Sequence, residues 1–187
     1  MINKAKKRDA ARCIGLLRLA MEDIAFTLTG ANSDGECDEI LCSFFVRESN
    51  RISYENIYTF SANGEIVGAM CAYFGGDAAN LDEPIKAHLR RAGASENLDA
   101  ECFEDEFYID SIAVSEDYRN QGIATALIGR AYEVAKERNF KKLALIVDTK
   151  KPKTKLYYER LGFKEDAKIL VNNHEFNHLV KLSLIHI

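Results

Sequence analysis

The chain has 187 residues, 25 basic against 29 acidic side chains, and two prolines. Its length predicts one domain, and surface scaling at 21.0 kDa implies that roughly 70% of the unfolded chain's surface is buried on folding. With 47% apolar and 29% charged residues it is neither a disordered tail nor a membrane protein; its longest uncharged run, Ile66–Gly76, is too short to cross a bilayer, which takes about 20 residues.

The N-terminal lysines and Ile14–Met21 resemble a signal peptide only faintly. Arg18 interrupts the apolar run and no small-residue cleavage site follows, so the segment reads as part of the fold. Ile2–Ala5 reads as a short edge strand. Asp9 then precedes a helix carried by Ile14, Leu16, Leu17, Ala20, Met21 and Ile24, ended by Gly30. A second helix over 34–46 is expected with Asp34 as cap. Asn56–Ala62 and Glu65–Tyr73 form a hairpin around Asn63-Gly64. Asp82, with Pro84 just inside, opens a helix that stops at Gly93; residues 77–100 read as an insertion within a single domain spanning 1–187.

Phe107–Val114 is a predicted strand with Asp110 in its middle, and Gly122–Arg138 a helix. Leu143–Val147 is an unbroken apolar run, expected to be covered on both faces. Pro152 opens a helix ended by Gly162, and a last hairpin turns at Asn172-Asn173. The alternation implies an α/β chain: a mixed sheet with helices on both faces.

Five cysteines without C-x-x-C spacing, and four histidines without ligand spacing, imply free thiols and no metal site. The expected setting is cytoplasmic. The net charge of −4 argues against nucleic acid as partner, and no membrane partner is expected.

The chemistry concentrates in residues 112–125. A strand ends, a short loop follows, and Gly122 sits at the start of a long helix, whose first amides suit a phosphate or pyrophosphate; Arg119 adds charge. Neither the Rossmann glycine pattern nor the P-loop is present.

The run Arg119-Asn120-Gln121-Gly122-Ile123-Ala124 resembles the R/Q-x-x-G-x-G/A signature of the GNAT N-acetyltransferase superfamily, and Leu156-Tyr157-Tyr158-Glu159-Arg160-Leu161-Gly162-Phe163 is similar to its L-Y-E-K-L-G-F helix end. The resemblance implies a central sheet splayed open around acetyl-coenzyme A, whose acetyl group a monomer or homodimer transfers directly to an amine. By position, Ile112, Ala113 and Val114 would contact the pantetheine arm. The loop from Arg119 through Asn120, Gln121, Gly122, Ile123, Ala124 and Thr125 would hold the pyrophosphate. Val114 N–H would stabilise the oxyanion, and Tyr158 would protonate the leaving thiolate. Lys151 stands where the family commonly has an asparagine.

Six carboxylates between Asp99 and Asp110, with no basic side chain among them, point to a cationic acceptor, either a small molecule or a peptide. Period-two spacing puts Glu106, Tyr108, Asp110 and Ile112 on one face, which nominates Asp110 and then Glu106 as general base. Among Lys150, Lys151, Lys153 and Lys155, one is expected to meet the cofactor's 3′-phosphate. A non-catalytic acyl-coenzyme A-binding module on the same fold is the alternative reading.

Overall fold

The computed structural model describes residues 1–183. Seven strands form one sheet: β1 (Ile2–Lys4), β2 (Ile57–Ala62), β3 (Glu65–Phe74), β4 (Glu106–Val114), β5 (Lys142–Asp148), β6 (Lys164–Val171) and β7 (His174–Leu182), in the spatial order β1-β2-β3-β4-β5-β7-β6. All pairings are antiparallel except β4 with β5. One sheet face carries α1 (Ala10–Met21), α2 (Ile24–Thr29), α3 (Asp34–Phe45) and α4 (Ala78–Arg91) over a core of Leu17, Leu41, Phe45, Ile85, Leu89 and Tyr108. The other carries α5 (Ile123–Glu137) and α6 (Pro152–Arg160) over Leu127, Ala131, Phe107, Leu143 and Tyr158.

Both Asn-centred hairpin turns form as the sequence predicts: Asn63 and Gly64, and Asn172 and Asn173, all have positive φ. Three expectations are corrected. The first helical region is two helices, broken at Glu22, which takes φ 48° and ψ −128°, a conformation that favours glycine. The cap of α3 is Ser33, whose hydroxyl accepts from Glu36 N, and Asp34 is already helical. The third helix begins at Ala78 rather than Asp82, so Pro84 lies inside α4. Packing of Ile85 and Leu89 into the core outweighs the backbone hydrogen bond that the proline cannot donate.

Two irregularities in β4 create the site. The β3–β4 register runs Cys71↔Ser111 and then Ala72↔Ile109, so Asp110 is an extra residue without a partner, a β-bulge. It ends the period-two alternation. Tyr108 packs on the α1–α4 side, whereas Ile112 and Val114 pack on the α5 side. The expectation that Ile112 shares a face with Glu106, Tyr108 and Asp110 therefore fails, because the bulge shifts the phase by one residue. The second irregularity is that β4 pairs with β5 only at Glu106↔Lys142, Phe107↔Leu143 and Tyr108↔Ala144. Beyond that point β4 stays with β3 as far as Val114, and β5 stays with β7 as far as Asp148. The two parallel strands diverge, and the sheet opens between them.

Candidate active site

The opening is a cleft of about 410 Å³. Ile109, Asp110, Ser111 and Ile112 of β4 form one wall and Leu145, Ile146 and Val147 of β5 the other. The broken α1–α2 corner (Leu19 to Ile24), Tyr158 of α6 and the β6–β7 turn rim it. Asn172 fixes that turn: its N–H donates to Asp99 Oδ2 at 2.8 Å and its amide Nδ2 to Thr27 Oγ1 at 3.1 Å. A smaller recess continues past Ile112, Ala113 and Val114 to Arg119 and Ala124. A larger groove, about 850 Å³, lies at the far edge of the sheet between β1–β3 and α1, and none of the motif residues reach it.

The recess ends at a helix N-terminus. Gly122 takes φ 78°, and Asn120 takes φ 61°, so the loop doubles back and presents the start of α5 to the strand. The first backbone bond of the helix is Ala126 N–H to Gly122 O, at 2.9 Å. The N–H groups of Ile123, Ala124 and Thr125 therefore have no partner within the helix and sit at the positive end of its dipole. Gly68 on β3 makes this approach close: a Cβ there would lie 2.9 Å from Ile123 Cγ2. Gln121 turns aside, its Nε2 donating to Asp117 O, and Thr125 Oγ1 is 2.9 Å from the Tyr157 hydroxyl.

Strand polarity aims the other backbone groups. Ser115 N–H donates to Val67 O on β3 at 2.8 Å. Because successive amides alternate sides, Val114 and Ile112 direct their N–H groups away from β3, into the gap that β5 has vacated.

Tyr158 lies between Tyr157 and Phe163, with ring centroids at 5.2 and 5.8 Å. Its side chain is nine-tenths buried, and burial pushes its hydroxyl well above the ordinary phenol range. No protein group among the described residues hydrogen-bonds to that hydroxyl. Tyr157, its neighbour on α6, is turned to the α5 N-terminus by its bond to Thr125.

The two candidate carboxylates part company. Glu106 is fully buried and does not line the cleft: its Oε1 accepts from Phe103 N–H at 3.0 Å and lies 2.9 Å from His178 Nε2. His178 Nδ1 meets Asp166 at 2.5 Å, so the trio ties β4 to β6 and β7. This geometry removes Glu106 from reach of any acceptor. Asp110 does line the cleft, yet it is bound to Arg51, whose Nε and Nη2 reach Asp110 Oδ2 at 3.1 and 2.5 Å; the Tyr73 hydroxyl donates to the same oxygen at 2.8 Å. Arg51 also meets Glu101 Oε1 at 2.9 Å and Asp82 Oδ1 at 3.4 Å. Sequence reasoning missed Arg51, since an arginine in an irregular polar loop has no periodicity to mark it as buried.

Lys151 forms an ion pair with Glu22 at 2.7 Å, from the start of α6 to the α1–α2 corner, and both residues line the cleft. Lys155 is paired with Glu165. Cys71 is fully buried, its thiol raised by burial and donating to Arg51 O at 3.2 Å; burial also pushes Cys13 and Cys102 up to about 12. None of these thiols is poised as a nucleophile. Among the described residues no group of histidine, cysteine or carboxylate side chains is arranged to hold a metal, and no helix is long and apolar enough to cross a membrane.

A splayed parallel pair with a free helix N-terminus at its mouth makes an opening suited to a ligand with a phosphate end, and comparison with known proteins gives its class. Residues 19–163 match the acetyltransferase (GNAT) family model, and the chain belongs to that family, whose members take the acetyl group from acetyl-coenzyme A. A crystallographically determined acetyltransferase is 26% identical, with a TM-score of 0.81 over 98% of this chain and 99% of that one. An N-acetyltransferase from Staphylococcus aureus Mu50 shares the fold at 22% identity, with a TM-score of 0.79 over 96% and 99% of the two chains. N-alpha-acetyltransferase 30 of Schizosaccharomyces pombe is 38% identical over 56 residues, 30% of this chain and 37% of that protein's length.

Proposed function

We propose that the protein transfers the acetyl group of acetyl-coenzyme A directly to a primary amine on a cationic small molecule or peptide, in the cytoplasm. The observation that carries the reading is the coincidence, in one opening, of free α5 amides, inward-facing strand amides and the unbonded Tyr158 hydroxyl.

In this reading the pyrophosphate rests on the N–H groups of Ile123, Ala124 and Thr125, with Gly122 allowing close approach and Arg119 beside it. The pantetheine arm runs along Ile112, Ala113 and Val114, and takes the place of the missing β5 pairing. The thioester carbonyl then lies at Val114 N–H, which holds the negative oxygen of the tetrahedral intermediate. The amine nitrogen attacks the carbonyl carbon, and the C–S bond breaks as the intermediate collapses. An acceptor that arrives as an ammonium ion must lose two protons in all. One goes to Asp110 Oδ1, directly or through a water, and on to solvent. Release of the second balances the proton that Tyr158 gives to the departing sulfur. A buried, weakly acidic phenol holds its proton until a thiolate develops beside it, and water then restores it.

The test is thiol release from acetyl-coenzyme A with 1,4-diaminobutane, lysine-containing peptides, neutral amines and aspartate as acceptors. Turnover with the cationic amines and little with aspartate is expected. Tight coenzyme A binding with no turnover on any amine would refute the enzyme reading and leave a binding module.

A further inference from the structure

The most heavily charged buried cluster among the described residues lies under the cleft, and no motif marks it. Arg51 is 3% exposed, Asp110 5%, Glu101 9% and Asp82 15%. One guanidinium thus faces three carboxylates. Buried charges are stable when they are paired, and removing one partner from such a set is costly. The surplus registers in the partners: burial raises the pKa values of Glu101 and Asp82 despite Arg51 beside them.

The donors are distributed unevenly. All three given to Asp110, two from Arg51 and one from Tyr73, go to Oδ2. Oδ1 receives none from the described residues and belongs to a residue that lines the cleft. Next to it, the Ser111 hydroxyl is buried and without a partner among the described residues. The loop that carries Arg51 is held at several points. Its N–H donates to Leu81 O at 3.2 Å, its carbonyl accepts from Asn56 Nδ2 and Cys71 Sγ, and Asn50 bonds Phe44 O, Arg47 O and Ile52 N. A guanidinium fixed in this way acts as a jig. The bulge gives Asp110 its freedom from the β3 ladder, and Arg51 and Tyr73 take up that freedom on one oxygen.

We propose that Arg51 is a positioning residue that turns Asp110 Oδ1 into the cleft, and that the ammonium group of the acceptor is the second cation the Arg51–Asp82–Glu101–Asp110 cluster lacks. The proposal rests on the acetyl-transfer reading for its kinetics but makes an independent statement about binding. A dicationic amine suits the site best, since its two charges match the carboxylate surplus. Acidic amines are rejected by the same surplus.

The experiment measures three things for wild type, Arg51→Lys, Tyr73→Phe and Asp82→Asn. They are calorimetric binding of coenzyme A, calorimetric binding of 1,4-diaminobutane to the coenzyme A complex, and the pH profile of kcat/KM for that diamine. Arg51→Lys keeps the charge but loses the fork. It is expected to leave coenzyme A affinity within about twofold, weaken diamine binding at least tenfold and shift the acidic limb of the profile. Tyr73→Phe, which removes one donor and little volume, is expected to shift the same limb with a smaller binding loss. Asp82→Asn, which removes one surplus charge outside the cleft lining, is expected to weaken the diamine several-fold and leave neutral amines unchanged. Should Arg51→Lys fail to fold, Tyr73→Phe and Asp82→Asn decide. The proposal is overturned if wild type does not bind the diamine, if these variants bind it as wild type does, or if coenzyme A affinity falls in parallel. Diamine binding that responds as expected, without turnover, would support the cluster's role and remove the acetyl-transfer reading instead.

Discussion

Gly68→Ala tests how closely α5 must approach the strands for the phosphate site to exist. Gly68 lies on β3 opposite Val114 and directly beneath the first residue of α5. An added Cβ would stand 2.9 Å from Ile123 Cγ2 and 3.3 Å from Leu127 Cδ1. Ordinary contact between carbons is about 3.5–4.0 Å, so the helix start must retreat by roughly 0.5–1 Å. Overpacking of this kind costs about 1–3 kcal/mol, which for a chain of this size is a fall in Tm of about 2–12 °C. The same retreat carries the amides of Ile123, Ala124 and Thr125 away from Val114. Loss of one well-placed charge-assisted hydrogen bond, about 1.5 kcal/mol, weakens coenzyme A roughly tenfold. Coenzyme A affinity by calorimetry and Tm by scanning calorimetry provide the measurement. The control is Gly129→Ala on the exposed side of α5, where a Cβ meets nothing within 4 Å and replacement should stabilise the helix by about 0.5–1 kcal/mol. An unchanged coenzyme A affinity in Gly68→Ala, alongside the expected fall in Tm, would show that the helix start does not hold the phosphates.

Tyr158→Phe should lower kcat by about 10²–10⁴-fold while coenzyme A binds as before, because only proton return to the thiolate is lost; single-turnover kinetics with pre-bound cofactor checks this. Glu22→Gly should raise Tm and Glu22→Ala should not, since φ 48° with ψ −128° favours glycine, and the exposed Lys151 pair that is lost contributes at most about 1 kcal/mol. His178 supplies a pH dependence of stability. Burial opposes its charge, but hydrogen bonds to Glu106 and Asp166 outweigh this and hold its pKa above the ordinary imidazole range, with Asp105 and its partner Lys142 nearby. A pKa raised by folding means that the trio's contribution is full below the unfolded value, near 6.5, and is lost as pH rises through the folded value. Wild type should therefore lose stability on that rise, and His178→Gln should show a flatter curve in denaturant titrations at several pH values.

The sheet, its hairpins and the loop before α5 are legible because each has a local cause: Asn-Gly and Asn-Asn turns, Gly122 before a long amphipathic helix, Pro152 and Gly162 around a short one. The α1–α2 break was not, since nothing about Glu22 announces a positive φ; only the corner it makes over the cleft accounts for it. Asp110 stands out in the sequence as a carboxylate in the middle of a strand, but its environment is not readable there, because the bulge arises between two strands and Arg51 comes from 59 residues earlier in the chain. Glu106 looked equivalent to Asp110 by spacing alone. His178, brought from the other end of the chain, makes Glu106 part of a staple, leaving Asp110 facing the cleft.

The extra residue in β4 also sets what kinds of change the chain can absorb. With Asp110 inserted, the strand runs in two phases: Tyr108 faces α1, and four positions later Ile112 faces α5. Removing one residue anywhere from Ile109 to Ser111 would restore a single phase. It would leave Ile112 opposite Met70 and Val114 opposite Gly68, still on the α5 side with their amides turned from β3, but with no residue left over in the ladder. Substitutions in this stretch alter chemistry locally, whereas a deletion takes away the unpaired position that lets Asp110 stand free of the β3 ladder. The count of residues between Tyr108 and Ile112, as much as their identity, is what gives the cleft a carboxylate that no strand partner holds.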